Sequence, residues 1–125
     1  MHLLPRVLGA ITAAYSLTII VRPVVLARRC GLTDAAGPDG SDTVSPGVRT
    51  LIAGIGARDA AIGTAMVFAP RGPALQTAIA ARVAADAADA LVFGTGLPAR
   101  DRRPRVAGFA VLWAALCAVS ARWAR

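Results

Sequence analysis

Four long apolar runs divide this sequence and constrain its fold more than any other feature. They cover about residues 7–27, 48–69, 73–94 and 106–123. About twenty apolar residues are needed to cross the hydrocarbon core of a bilayer as an α-helix, and a helix satisfies its own backbone hydrogen bonds there. The sequence therefore predicts an all-α, integral membrane four-helix bundle, with residues 1–125 forming a single membrane domain.

The composition suits helices that pack closely within a membrane. Hydrophobic residues make up 56% of the chain but aromatic residues only 5%, whereas soluble chains are about 45–50% apolar. Most of the apolar content is therefore aliphatic, and Ala and Gly recur along the second and third runs. Small residues let membrane helices approach one another. We expect them to serve packing around the middle of these runs, where they also leave room for a narrow apolar ligand.

The first run and the segment after it carry different signals. Pro23, near the end of the first run, is expected to kink or stop the helix around Val21. Residues 28–47 combine Gly, Pro, Ser and Asp in turn-forming order, which predicts an exposed loop. A secretory signal peptide is the alternative for the first run. It is disfavoured because the start is weakly basic and no clear small-x-small cleavage site follows.

Arg and Asp carry all of the side-chain charge apart from His2, and the formal net charge is +7. Such a balance can indicate nucleic-acid binding. Apart from Arg58 and Arg82, these Arg residues lie at or near the ends of apolar runs. They do not form a stripe along an amphipathic helix, so we predict no nucleic-acid partner. Arg near membrane spans instead marks the cytoplasmic side. More Arg residues flank the first and third loops (28, 29, 49, 100, 102, 103 and 105) than flank the termini and the second loop (6, 71, 122 and 125). We therefore predict a multi-pass protein of the cell membrane with both termini on the non-cytoplasmic side.

Neither a metal nor a cofactor is expected. Cys30 and Cys117 are the only cysteines, His2 is the only histidine, and no CxxC spacing or Cys/His cluster occurs. The ligand set of a zinc site is therefore missing from the sequence. Both cysteines are expected to be unpaired thiols, with Cys30 in the first loop and Cys117 inside the fourth run.

Charged residues in the middle of the second and third runs are the strongest functional signal. A charge at the bilayer centre costs about 2.5–3.5 kcal/mol on insertion scales, so such residues are a functional hypothesis by default. The third-run residues follow an i, i+4, i+7 spacing and share one helix face. The group consists of Arg58, Asp59, Arg82, Asp86 and Asp89.

An antiparallel hairpin of these two runs would bring the five residues together. If the hairpin turns about Arg71, Arg58 and Asp59 lie level with positions 83 and 84, within one helical turn of both Arg82 and Asp86. We therefore predict the crossed pairs Arg58 with Asp86 and Asp59 with Arg82. Two Arg and three Asp leave Asp89 over. A carboxylate without a counter-ion in a region of low dielectric is expected to hold its proton near neutral pH.

Three interpretations of this group stay open. It can fix helix register only, it can line the binding site of a small lipophilic molecule, or it can serve ion or proton passage. If the binding site is also an active site, Asp89 is the general acid and Arg58 and Arg82 bind negative charge on the ligand. Asp59 and Asp86 then hold the two arginines in position. Isomerisation, cyclisation or hydration would be the chemistry, because the sequence offers no ligands for a redox cofactor or metal. The alternative is a non-catalytic structural or accessory subunit of a larger membrane complex, as a homo-oligomer or with a membrane partner.

A short motif in the second run resembles a known family. The segment 56–63, GARDAAIG, together with DALV at 89–92, resembles a family of small bacterial four-helix membrane proteins of unknown function that is similar in size and layout to DoxX-like proteins. The resemblance spans residues 50–96, and residues 22–32 resemble the exit of the family's first helix. Arg58, Asp59 and Asp89 match its pattern, whereas Arg82 and Asp86 are additions in this chain. The resemblance implies a fold and a membrane location and no reaction.

Overall fold

Helices account for most of the computed structural model, which describes residues 2–34 and 42–125. The helices are α1 (Leu4–Val21), α2 (Val24–Cys30), α3 (Pro46–Phe68), α4 (Pro73–Gly96) and α5 (Arg103–Ser120), and a 3₁₀ turn (Ala121–Trp123) follows α5. The prediction of an all-α chain is confirmed for these residues.

Pro23 divides the first predicted run into two helices. α1 ends at Val21, as expected, and α2 begins directly after the proline. The residue before a proline is disfavoured in the helical region, and Arg22 has φ −127° and ψ 75°. α2 then continues to Cys30, so the prediction that the loop begins at residue 28 is wrong. α2 ends at Cys30 because Gly31, the next residue, adopts a left-handed φ of 68° that favours glycine.

The start of α3 also lies earlier than the sequence predicted. Ser45 accepts a hydrogen bond from the backbone N–H of Val48 at 3.3 Å, and Pro46 occupies the first helical position. Both are features of a helix N-terminus, since a Ser cap satisfies a free N–H and proline has none to satisfy. Of the predicted loop 28–47, residues 35–41 lie outside the described residues.

Three helical segments are long and apolar enough to cross a membrane. They are Leu4–Val21, Pro46–Phe68 and Arg103–Trp123, which agrees with the prediction of a membrane protein. α4 is 24 residues long, but Arg82, Asp86 and Asp89 make it less apolar than the other three. That α4 forms a fourth span therefore stays a prediction.

The closest helix packing joins α1 to α3, and α4 packs mainly on α5. A Cβ atom built on Gly63 would lie 2.6 Å from the backbone oxygen of Gly9 and 2.8 Å from the nitrogen of Ala13, and one on Gly56 would also meet α1. Gly54, by contrast, has no atom within 4 Å of its added Cβ. The small residues of the second run were expected to pack around the charged group. The closest approach is instead between α1 and α3, and the α3–α4 contact is looser.

Candidate functional site

A cavity of about 380 Å³ lies among the helices. Residues of all five helices contribute to its lining. Much of its wall is apolar, formed by large side chains that include Ile19, Leu26, Ile55, Phe93, Phe109 and Trp113. The indole Nε1 of Trp113 donates a hydrogen bond to Thr12 Oγ1 at 3.0 Å, which joins α5 to α1 beside the cavity. The space therefore has a mostly apolar interior held between helices distant in sequence.

Arg82 is the buried centre of the charged group. The residue is 1% exposed, so its charge needs partners within the protein. Its guanidinium lies 2.9 Å from Asp59 Oδ1 on α3. It also donates to both oxygens of Asp86, with Nε 3.0 Å from Oδ2. Arg82 thus joins a carboxylate of its own helix to one of the neighbouring helix.

Arg58 forms the second half of the group, nearer the surface. Its Nε donates to Asp59 Oδ1 at 2.8 Å, and its two terminal nitrogens donate to the Asp89 oxygens at 3.1 and 2.6 Å. Its side chain is 37% exposed, against 2% for Arg82. The five residues therefore form one chain of ion pairs, in which Asp59 connects the two arginines.

Only part of the predicted pairing is present. Asp59 and Arg82 do pair, as expected. The predicted Arg58–Asp86 pair is wrong, because Asp86 lies one helical turn from Arg82 on the same face of α4 and pairs with it instead. Asp89, one turn further on, reaches Arg58. The expectation that Asp89 lacks a counter-ion is therefore also wrong.

Asp59 presents the one carboxylate oxygen of the group that accepts no hydrogen bond within the described residues. Both of its contacts are to Oδ1, whereas each oxygen of Asp86 and of Asp89 accepts a bond from an arginine. Asp59 lines the cavity and its side chain is 14% exposed. Oδ2 therefore keeps its capacity to accept a hydrogen bond, on a residue that lines the cavity.

The structure places four of the five predicted site residues along the cavity and one outside it. Asp59, Arg82, Asp86 and Asp89 belong to the lining, and Arg58 does not. Arg58 therefore contacts the cavity only through the carboxylates that it pairs with. The ligand-binding role predicted for Arg58 stays untested.

Three further arginines, which the sequence did not assign to a site, also line the cavity. Arg29, Arg102 and Arg105 come from α2, the α4–α5 turn and α5. The guanidinium of Arg29 lies 5.7 Å from the centre of the Tyr15 ring, a cation–π distance. In the sequence, these arginines only indicate how the chain is oriented in the membrane. That they lie around one cavity depends on how α2 and α5 pack, which their spacing does not reveal.

The two cysteines are free thiols. Cys30, expected in a loop, is buried at the end of α2. Burial raises the pKa of its thiol above the ordinary value, and the Arg102 and Arg29 guanidinium groups partly oppose this. Within residues 2–34 and 42–125, no group of three or more His, Cys, Asp or Glu side chains could hold a metal ion.

No protein-family model, curated protein or solved structure matches this chain. The resemblance to a family of small four-helix membrane proteins of unknown function, similar to DoxX-like proteins in size and layout, therefore stays a prediction from the motif. What the site can do has to follow from its own geometry.

Proposed function

We propose that the chain is a four-helix membrane protein that binds a small lipophilic molecule in the cavity beside the Arg/Asp group. In this proposal α4 is the fourth span. Two observations support a membrane position for it: Arg82 and Asp86 are buried and paired, and its exposed side chains include Leu91 and Val92. Charged residues inside membrane helices typically face the protein interior and pair with one another.

The observation that carries the proposal is the apolar cavity whose lining includes Asp59, a carboxylate with one oxygen that accepts no bond from the described residues. Its volume of about 380 Å³ falls within the roughly 300–1,000 Å³ of ordinary ligand sites. Such sites combine apolar walls with a few polar groups that orient the ligand. Here the walls would bind an aliphatic or ring system, and Asp59 Oδ2 would accept a hydrogen bond from a hydroxyl or amine of the ligand.

The same geometry supports an acid–base version of the function. Three carboxylates face two guanidinium groups, so the fully ionised group carries one net negative charge. Asp59 is the better candidate for the acid–base residue, as a proton acceptor, because one of its oxygens accepts no bond within the described part of the chain. Asp89 is less suited to act as a general acid, because both of its oxygens accept bonds from Arg58. In an isomerisation, Asp59 would take a proton from one atom of the bound molecule and return it to another. In a cyclisation or hydration, Asp59 would take the proton of the attacking hydroxyl or water and return it to the carbon next to the new bond.

Filling the cavity is expected to abolish binding while the protein stays folded. Ala110 lines the cavity and is 8% exposed, whereas Ala115, on the same helix, is exposed and outside the lining. Ala110→Leu adds a side chain where the ligand would sit, and Ala115→Leu adds the same side chain on the outer surface. We expect lipophilic compounds that change in host cells on expression of the wild type to stay unchanged with Ala110→Leu and to change as usual with Ala115→Leu. Mass spectrometry of lipid extracts makes the comparison, with membrane abundance measured for each strain.

Two results would count against a binding site. One is the same compound profile with Ala110→Leu as with the wild type at equal abundance. The other is no change with the wild type and a protein partner that co-purifies in mild detergent, which would favour the accessory-subunit alternative.

A further inference from the structure

Positive charge is concentrated at one end of the cavity. Arg29 and Arg105 are exposed, and the Arg102 side chain is 40% exposed. At the other end the lining includes the buried residues Arg82 and Asp86. The cavity therefore runs from a buried, ion-paired interior to an exposed mouth formed by Arg29, Arg102 and Arg105.

Among the residues that the structure describes, few acidic side chains neutralise the positive charge of the three arginines at this mouth. Asp42 pairs with Arg28, which is outside the lining, at 2.9 Å. Asp101 lies 3.5 Å from Arg102 and is itself highly exposed. Arg29 and Arg105 form no ion pair in the part of the chain that the structure describes. Guanidinium groups bind phosphate and carboxylate in a planar, bidentate manner.

We propose that Arg29, Arg102 and Arg105 bind the anionic head group, a phosphate or carboxylate, of a single-chain amphiphile whose apolar chain occupies the cavity. The inference rests on the proposed function and specifies its ligand class. A single chain is favoured because about 380 Å³ lies near the lower limit of ligand-site volumes. The anionic group is favoured because the exposed end of an otherwise apolar space carries three cationic side chains.

Trp113 provides a direct reporter of binding. The chain has two tryptophans, and Trp113 lines the cavity whereas Trp123 does not. In a Trp123→Phe background, fluorescence changes would report on Trp113 alone. Protein in nanodiscs of neutral lipid would be titrated with dodecyl phosphate, dodecanol, dodecyltrimethylammonium and inorganic phosphate. We expect dodecyl phosphate to bind at least about tenfold more tightly than dodecanol, and the cationic probe to bind most weakly.

Arginine variants locate the head group. Arg29→Gln and Arg105→Gln are each expected to weaken dodecyl phosphate binding about fivefold, while dodecanol binding stays unchanged. The matched controls Arg49→Gln and Arg100→Gln replace exposed arginines outside the lining, and both should leave binding unchanged. Helical content and thermal unfolding would be measured for each variant. Arg102 is less suitable for the test, because it also donates to the backbone oxygen of Arg28 at 3.0 Å.

The outcomes separate the inference from the function on which it rests. Equal affinity for dodecyl phosphate and dodecanol, unaffected by either arginine variant, would overturn the anionic head group and leave a lipophilic site. Binding of inorganic phosphate as tightly as dodecyl phosphate would overturn the amphiphile. Loss of dodecyl phosphate binding in nanodiscs of anionic lipid would assign the arginines to bilayer head groups instead. No response to any of the probes would overturn the proposed function itself.

Discussion

Arg82→Leu is expected to lower the free energy of unfolding by about 3–5 kcal/mol, the range measured when one partner of a buried ion pair is removed. Arg82 is 1% exposed and contacts both Asp59 and Asp86. Asp59 keeps its bond from Arg58 in the variant. Asp86 loses both of its donors and becomes a buried charge without a counter-ion, which is the physical reason for the large effect.

The double variant Arg82→Leu/Asp86→Leu separates pairing from packing. Replacing both partners by apolar residues is often neutral or stabilising, so we expect it to recover most of the lost stability. Arg100→Leu, at an exposed position, should change stability little. Unfolding of the purified proteins in mild detergent measures all of these. A single variant as stable as the wild type would contradict the described ion pairs, as would a double variant no better than the single one.

Gly63→Ala is expected to destabilise the protein by about 1–3 kcal/mol, the usual cost of forcing extra atoms into a well-packed interface. The added Cβ would lie 2.6 Å from the backbone oxygen of Gly9, and a backbone atom cannot move aside as the end of a side chain can. α1 and α3 would therefore have to separate. The cavity, whose lining includes Ser16 of α1 and Asp59 of α3, should change shape with them.

Gly54→Ala on the same helix is the matched control. Nothing lies within 4 Å of its added Cβ, and alanine favours helix over glycine by about 0.5–1 kcal/mol. The control should therefore be neutral or slightly more stable. The same detergent unfolding assay compares the two. Equal effects at the two positions would show that α1 and α3 do not approach as described.

The approximate positions of α1, α3, α4 and α5 could be predicted from the sequence, because apolar run length and Pro23 are local signals. The exact ends of α2 and α3 could not, because they depend on the caps at Gly31 and Ser45. The i, i+4 relation of Arg82 and Asp86 is also local. The pairing across α3 and α4 was only partly predictable. The hairpin register puts Arg58 and Arg82 at similar heights, but it does not specify how far each helix turns about its own axis. That rotation brings Asp89 to Arg58 and leaves Asp86 with Arg82.

The cavity and its arginine mouth could not be predicted from the sequence. Its lining joins Arg29 after the Pro23 break to Arg105 in the first turn of α5, and no spacing rule relates the two. Counting arginines near membrane spans recognises them only as an orientation signal. The free Oδ2 of Asp59 is equally a product of packing, since it depends on both arginines approaching the same oxygen.

Native mass spectrometry of the wild-type protein, purified in an uncharged detergent, tests the central claim of a cavity ligand most directly. The chain has a mass of 12.7 kDa, so a bound small molecule would be resolved as a separate peak. We expect one discrete lipophilic adduct per chain, present in Ala115→Leu and lost in Ala110→Leu. A wild-type protein without any adduct would contradict a specific ligand in the cavity. So would a series of bilayer lipids that Ala110→Leu retains as well as the wild type does.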